Sequence, residues 1–113
     1  MVEKTVFKKI IDGELPADVV HQDDLCLVIR DINPQAPVHL LVIPRKEIPS
    51  LRDVGPEDRE LLGHLLLVAN QVAQHHKLSD YRVVINCGLE AGQTVWHLHV
   101  HVLGGREMQW PPG

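Results

Sequence analysis

Apolar residues repeat along this chain at two spacings, one typical of helices and one typical of strands. After Gly55 the apolar positions recur every three or four residues, which predicts one long helix that ends near Lys77. A shorter helix is predicted over 5–11, where Phe7 shares one side with two isoleucines, and Gly13 ends it. The apolar positions of the long helix are Leu61, Leu62, Leu65, Leu66, Ala69, Val72 and Ala73.

Five shorter apolar segments predict strands. The first two flank a polar turn and predict a hairpin, and the third ends at Pro44, because proline lacks the N–H that a central strand donates. The prolines within 33–37 make that segment a loop. Together with one long and one short helix, these strands predict an α+β fold with an antiparallel sheet of about five strands. The predicted strands are 19–20, 25–29, 38–43, 81–85 and 95–103.

The composition favours a single small soluble enzyme or binding domain. A chain of 113 residues that is 44% hydrophobic builds one core, so we expect one domain over 1–113. The first residues lack the apolar run of a secretory signal or a membrane helix, so we expect a cytoplasmic protein with no membrane partner. A net charge of -4 without a basic run predicts no nucleic acid partner. Cys26 and Cys87 lack the paired spacing of zinc knuckles and redox motifs, which favours reduced thiols.

The most informative segment is 96–102, where three histidines alternate with aliphatic residues. In a strand this alternation places His97, His99 and His101 on one face and the aliphatic side chains on the other, under the long helix. We expect the histidine face to border a cleft. His39 joins this face if its own strand pairs nearby.

Three interpretations fit this pattern: imidazoles that only decorate a half-exposed strand, a zinc site, and nucleophilic catalysis at phosphorus. Decoration is disfavoured because strands prefer Val, Ile and aromatic residues to histidine. A zinc site needs His39 or a carboxylate to complete it, because three such residues on one straight strand span about 13 Å. We favour catalysis, in which a neutral imidazole attacks phosphorus and water then hydrolyses the nucleotidyl-histidine.

Within this hypothesis His99 is the natural nucleophile, because it has an imidazole on each side. His97 would help to orient the network and His101 would reach the scissile bond. The loop 88–94 leads into the histidine segment. Its glycines leave the backbone amides accessible, so these amides can donate hydrogen bonds to the phosphate oxygens. We therefore expect an active site that needs no metal and no cofactor.

The segment HLHVHVLGG resembles the signature of the histidine triad (HIT) family, and other segments are similar to its branch of purine nucleoside phosphoramidases. The resemblance covers nearly the whole chain. It implies a HIT-like fold, a homodimer whose two sheets join, a purine nucleotide pocket in each subunit and no required metal. The further segments are IIDGELPADVVHQDD, DINPQAPVHLLVIPRK, LLGH, NCGLEAGQTVWHLHVHVLGGR and QWPPG.

Carried onto this sequence, the resemblance assigns a role to individual positions. Asp31 and Ile32 would lie in the nucleoside pocket, with the carboxylate at the ribose hydroxyls, and Trp110 would reach toward the partner subunit's site. The implied catalytic residues are His99, His101, His97 and His39. The residues implied to approach the phosphate, together with His99 and His101, are Asn86, Gly92, Gln93 and Thr94.

Three positions depart from the pattern of the family. Thr94 stands where Ser is expected, which keeps the hydroxyl group. Arg30 replaces a familiar histidine and adds a permanent cation near the expected nucleoside pocket. Cys87 follows Asn86, and we expect a buried strand cysteine without a catalytic role.

The sequence therefore predicts a hydrolase that cleaves the phosphorus–nitrogen bond of adenosine or guanosine 5'-monophosphoramidates and aminoacyl-adenylate-like conjugates. A dinucleoside polyphosphate hydrolase with the same intermediate is one alternative. A nucleotide-binding interaction protein with incidental hydrolysis is a second, and a zinc-binding module whose fold depends on the metal is a third.

Overall fold

The computed structural model describes residues 3–113, which form two α-helices, five strands and three short 3₁₀ turns. The class is α+β, as the sequence predicts. The predicted hairpin, the loop over 33–37 and the long helix are all present. The helices and strands, in chain order, are α1 (Val6–Ile11), β1 (Val19–Gln22), β2 (Cys26–Arg30), β3 (Val38–Pro44), α2 (Arg59–His75), β4 (Tyr81–Val84) and β5 (Val100–Gly104).

The five strands form one antiparallel sheet in the order β1-β2-β3-β5-β4. The chain enters β5 after β4, so the last strand inserts between β3 and β4 rather than adding to an edge. This placement brings Leu41 of β3 opposite His101 of β5. The histidine segment thereby lies beside the strand that carries His39, as the proposed cluster requires.

The two faces of the sheet pack against different helices. On one face α2 covers the larger core, which includes Val28, Leu40 and Val42 as well as the aliphatic residues of the histidine segment, Leu98, Val100 and Val102. On the other face Phe7 of α1 packs with Ile29, Leu41 and Ile43. The predicted alternation is therefore confirmed for the aliphatic side chains, and the α1 face is left to the histidines.

The long helix is positioned by its first turn and by one apolar stripe. A 3₁₀ turn at Pro56–Asp58 precedes α2, and the Asp58 carboxylate accepts the Gly55 N–H at 3.0 Å. Burial of Leu65, Val68 and Val72 then holds the helix on the sheet. No helix within residues 3–113 is both long enough and apolar enough to cross a membrane.

The predicted strand over 95–103 is shorter in the structure, because β5 begins only at Val100. Residues 95–97 form a bend, and the hydrogen bonds of the segment before β5 leave the ladder. The Leu98 N–H donates to the Ile48 carbonyl at 2.7 Å, and the Pro44 carbonyl accepts from the His97 ring. Of the three histidines in this segment, only His101 lies within a strand.

Candidate functional site

A cavity of about 490 Å³ opens on the α1 face of the sheet. Its walls come from α1, the ends of β2 and β3, the loop before β3 and the segment that leads into β5. The structure thus brings most of the predicted site residues to one place. Those that line the cavity are Asp31, Ile32, His39, Gly92, Thr94, His99 and His101.

His99 is held in one tautomer by its own neighbour. Its Nδ1 lies 2.8 Å from the carbonyl oxygen of His97, and because a carbonyl only accepts, Nδ1 carries the proton. The other nitrogen, Nε2, therefore keeps its lone pair. The ring is only 8% exposed and contacts Phe7 edge to face, with ring centroids 5.0 Å apart. His99 thus places a neutral, oriented imidazole with a free lone pair on Nε2 in the wall of the cavity.

His97 lies behind the cavity rather than in its wall. The ring is buried, and its Nε2–H donates to the Pro44 carbonyl at 2.7 Å, which fastens this segment to the end of β3. The contribution of His97 to the site is its backbone carbonyl, which orients His99. An orienting role fits this arrangement, whereas direct contact between the His97 ring and a ligand in the cavity does not.

The rings of His39 and His101 are connected by a hydrogen bond of 2.9 Å between Nε2 of His39 and Nδ1 of His101. The Gln35 N–H donates to Nδ1 of His39 at 3.0 Å, so in the neutral ring the proton is on Nε2 and is donated to His101. His101 then carries its own proton on Nε2. This atom is buried and has no hydrogen-bond partner among residues 3–113. An unpaired buried donor in a cavity wall is available to a ligand oxygen or nitrogen.

Burial keeps these imidazoles neutral. It lowers the pKa of His97 and of His99 below the usual value of 6.5 for histidine. The pKa of His101 is lowered to about 4, first by burial and then by repulsion from His99 and His39, and the Asp31 carboxylate opposes this shift. At neutral pH the cavity therefore presents a nucleophilic lone pair on His99 beside a donor on His101.

Asp31 connects the catalytic rings to the outer part of the cavity. Its Oδ2 lies 3.4 Å from Nε2 of His39, and its Oδ1 accepts the Asn33 N–H at 2.8 Å. Ile32, the next residue, is fully exposed at the rim. Arg30 also lines the cavity, where its guanidinium pairs with the Asp18 carboxylate at 2.9 Å. The outer end thus offers an acid, an apolar side chain and a paired cation.

The loop that leads into the histidine segment is fixed by hydrogen bonds of the buried Gln93 side chain. This side chain is buried, and its amide donates to the Pro49 and Val95 carbonyls at 2.8 and 3.1 Å while its oxygen accepts the Gly88 N–H at 3.0 Å. Both N–H groups of the amide and one acceptor position of its oxygen are used inside the protein. The Gln93 side chain therefore shapes the loop and does not line the cavity.

Gly92 and Thr94 are the residues of this loop that border the cavity. Gly92 adopts a left-handed conformation with φ of 95°, which a residue with a side chain adopts only with strain. A Cβ at this position would lie 3.6 Å from the Asn86 amide nitrogen. Asn86 thus lies beside the loop without lining the cavity.

Two residues are placed differently from what the sequence suggests. Trp110 is 83% exposed and does not line the cavity of its own chain. Cys87 follows β4 and is half-buried, so the expected buried strand cysteine is wrong; hydrogen bonds from Arg52 lower the pKa of its thiol. Cys87 does not line the cavity either.

Sequence reasoning missed the apolar wall of the cavity. Phe7 is the residue that contacts both His97 and His99 by edge-to-face ring packing. The helical spacing of Phe7 and Ile10 predicted a buried face, but no local signal indicated that the histidines are what it covers. The other missed lining residues are Val6, Ile10, Ile29, Asn33, Gln35, Leu41 and Val95.

Two groups of side chains in the described part of the chain are close enough to hold a metal ion. One lies in the cavity and comprises Asp31, His39 and His101. A metal bound there would use the carboxylate and the β3 histidine, rather than the three histidines of the 97–101 segment. The second group, on the opposite face of the sheet, is described below.

Comparison with known proteins gives consistent results. A family model described as the scavenger mRNA decapping enzyme C-terminal binding domain matches residues 4–110. An uncharacterized HIT-like protein from Synechocystis is 58% identical over 114 residues, which cover all of both chains. The crystal structure of a HIT family hydrolase from Legionella pneumophila is 50% identical with a TM-score of 0.95 and covers 97% of this chain and 100% of its own. A histidine triad nucleotide-binding protein from Candida albicans is 28% identical with a TM-score of 0.83, over 96% and 83% of the two chains.

Proposed function

This chain belongs to the histidine triad (HIT) family, and from that premise we propose that it hydrolyses the phosphorus–nitrogen bond of purine nucleoside 5'-phosphoramidates through a nucleotidyl-histidine on His99. The observation that carries this proposal is the pair of tautomers in the cavity. Nε2 of His99 presents a lone pair while Nε2 of His101 presents an unpartnered proton. An attacking group and a proton donor on one wall are what substitution at phosphorus with a basic leaving group requires.

In the first step the lone pair on Nε2 of His99 forms a bond to phosphorus as the bond to the amine breaks. The Nδ1–H of His99 stays hydrogen-bonded to the His97 carbonyl oxygen. This bond stabilises the positive charge that develops on the ring. The leaving amine takes the electron pair of the broken bond and a proton from Nε2 of His101. Nucleoside monophosphate is then attached to His99, and the amine departs as a neutral molecule.

The proton that His101 donates enters the His39 and His101 pair when the substrate binds. A phosphate anion in the cavity favours a cationic imidazole, because opposite charges attract strongly where water is excluded. The Asp31 carboxylate acts in the same direction on His101 and lies 3.4 Å from Nε2 of His39. The His39 and His101 pair thus takes up one proton with the substrate and releases it to the amine.

Water completes the reaction by attacking phosphorus on the side that the amine has left. One proton of this water returns to the His39 and His101 pair, and the bond between phosphorus and His99 breaks. Nucleoside monophosphate is released. His99 returns to its neutral form, with a free lone pair on Nε2 for the next substrate. The balance of atoms and protons is completed by this water and by the one proton that the His39 and His101 pair takes up with the substrate.

The shape of the cavity supports a nucleoside substrate. The apolar side chains of Phe7, Ile10 and Ile29 line the cavity and would contact a base, and the Asp31 carboxylate lines the same cavity beside His39. A carboxylate there accepts hydrogen bonds from ribose hydroxyls. The name of the Candida albicans relative states that it binds nucleotides, which is consistent with this use of the cavity.

We also propose that the protein forms a homodimer through the free edge of β4. This strand is the last in the sheet order, and Val83 on it is exposed at 39%. An unpaired strand edge with an apolar residue is a template for pairing with a second chain. The exposed Trp110 would then lie where it can reach the partner subunit's cavity.

The test is steady-state hydrolysis of an adenosine 5'-phosphoramidate with a fluorogenic amine, in the presence of EDTA. We expect turnover by the native chain and a loss of roughly 10³-fold or more in the His99→Ala variant. The His75→Ala variant is the matched control, because His75 lies exposed on α2. Mass spectrometry of acid-quenched protein should show a nucleotidyl adduct on the native chain that is absent from His99→Ala.

Other outcomes distinguish the alternatives. Faster cleavage of a dinucleoside polyphosphate than of the phosphoramidate would change the substrate class but keep the His99 intermediate. Tight binding of AMP without turnover of either substrate would favour a nucleotide-binding interaction protein. Turnover that EDTA abolishes would contradict the metal-free mechanism.

A further inference from the structure

A second group of metal-binding side chains lies on the α2 face of the sheet, opposite the catalytic cavity. It gathers His21 of β1, Asp23 of the following turn, Cys26 at the start of β2 and His64 of α2. Cys26 belongs to the core under α2, whereas the cavity lies on the α1 face. The four donors are two imidazoles, one carboxylate and one thiol, which are the groups that bind Zn²⁺ in proteins.

Three of the donor groups lie close to a single oxygen of the fourth, Oδ2 of Asp23. Nε2 of His21 lies 2.9 Å from it and Nε2 of His64 lies 2.8 Å from it, and Sγ of Cys26 is 3.7 Å away. Around a tetrahedral zinc ion with bonds of roughly 2.0 to 2.3 Å, neighbouring donors lie about 3.3 to 3.6 Å apart. The ligand atoms of His21, Asp23 and Cys26 all lie within 4.8 Å of one another, and His64 reaches the same Asp23 oxygen, so zinc binding would draw these side chains closer together.

The carboxylate is fixed in place before any metal binds. Oδ1 of Asp23 accepts the Leu25 and Cys26 N–H groups at 2.8 and 2.9 Å, which directs Oδ2 toward the imidazoles. The two imidazoles and the carboxylate are each about one-third exposed, so an ion can enter from solvent, while Cys26 closes the site from the core. Preorganised ligands with one open side are the arrangement that favours metal binding.

From this convergence we infer that His21, Asp23, Cys26 and His64 form a structural zinc site that joins the β1–β2 hairpin to α2. The inference is independent of the proposed hydrolase activity. In the metal-free protein the imidazoles donate Nε2–H to Asp23, and burial together with the Asp23 carboxylate raises the pKa of Cys26 to about 12. When zinc binds, the imidazole protons move to Nδ1 and the thiol proton passes to solvent, so that both rings and the thiolate offer lone pairs.

The experiment measures binding of Zn²⁺ to the untagged full chain by titration calorimetry and by metal content after gel filtration. We expect one zinc ion per chain at this site, and an affinity reduced more than about 10-fold in His21→Gln and in His64→Gln. Glutamine keeps an amide N–H for the Asp23 carboxylate, so these variants should fold, which circular dichroism checks. His75→Gln is the matched control on the same helix.

Cobalt identifies the thiol ligand. Co²⁺ bound to the native chain should give the intense charge-transfer absorption of a cobalt–thiolate bond, and Cys26→Ser should lose this band. The same concentration of Zn²⁺ should also raise the unfolding temperature of the native chain more than that of His64→Gln, because a ligand that binds only the folded state stabilises it by an amount that rises with the ratio of its concentration to its Kd.

Three results would overturn the assignment. They are no stoichiometric binding of Zn²⁺, binding that survives His64→Gln and disappears in His39→Gln, and a cobalt complex without thiolate absorption. The second of these would place the ion on Asp31, His39 and His101 in the catalytic cavity.

Discussion

Nε2 of His39 and Nδ1 of His101 lie 2.9 Å apart although the two residues are 62 positions apart in the sequence. The bond exists because β5 inserts beside β3, which brings both rings to the α1 face. Its consequence is chemical. By accepting from His39 at Nδ1, His101 keeps its own proton on Nε2, a buried atom without a partner among the described residues.

If His101 protonates the leaving amine, its loss should matter most when the amine is strongly basic. We expect His101→Gln to lower kcat by about 10²–10⁴-fold for an alkylamine phosphoramidate. For an aniline phosphoramidate, whose leaving group needs less protonation, the loss should be at least about 10-fold smaller. Steady-state kinetics with both substrates measures this difference, and His76→Gln is the control. Equal losses for both substrates would assign His101 to binding rather than to proton transfer.

The lowered pKa of His101 predicts how stability depends on pH. Between pH 6.5 and about 4 the unfolded chain binds a proton at this residue that the folded chain does not. Stability therefore rises with pH across this window and is lost as pH falls toward 4. Urea unfolding at a series of pH values should show a smaller slope for His101→Gln than for the native chain. The exposed His75→Gln should keep the native slope, and an unchanged slope in His101→Gln would contradict the prediction.

Gln93 should act on both stability and activity, because its three hydrogen bonds hold the loop that borders the cavity. We expect Gln93→Ala to lower the free energy of unfolding by about 2–4 kcal/mol, at 0.5–1.5 kcal/mol for each bond lost. It should also reduce kcat/KM, since Gly92 and Thr94 lose their support. Glu90→Ala changes an exposed side chain of the same loop. It should alter neither the free energy of unfolding nor kcat/KM. Denaturant unfolding and steady-state kinetics compare Gln93→Ala with Glu90→Ala. Similar effects of the two variants would argue against the anchoring role of Gln93.

The proposed dimer can be tested with two matched edge residues. Val83 on β4 and Val19 on β1 lie on opposite edges of the sheet and are exposed to nearly the same extent, 39% and 40%. A lysine on an edge strand opposes pairing with another chain. We expect light scattering to show a dimer for the native chain and for Val19→Lys, and a monomer for Val83→Lys. A monomeric native chain, or a dimer that only Val19→Lys disrupts, would contradict pairing through β4.

The dimer prediction has a further consequence for Trp110, which is 83% exposed in the single chain. Trp110→Ala should leave the free energy of unfolding within about 0.5 kcal/mol of the native value, as surface substitutions usually do. If Trp110 reaches the partner subunit's cavity, kcat/KM should nevertheless change. That change should be absent when the same substitution is made in the Val83→Lys monomer.

The sequence by itself determined the features that depend on local periodicity. Alternation in the segment 97–102 assigned the aliphatic residues to the core under α2 and the histidines to the other face, because successive side chains of an extended chain point in opposite directions. The three- and four-residue repeat similarly determined α2. The same alternation overestimated β5, since a pattern of side chains does not reveal where the backbone hydrogen bonds go.

Only the tertiary structure decided what each polar side chain does. The ring of His97 fastens to the Pro44 carbonyl, 53 positions away, and Gln93 bonds inward to the Pro49 carbonyl, so neither side chain faces the cavity that sequence spacing suggested. The proton positions on His99 and His101 follow from the partners of their rings. Such partners come from distant parts of the chain, and hydrogen bonding, burial and pKa depend on them rather than on sequence neighbours.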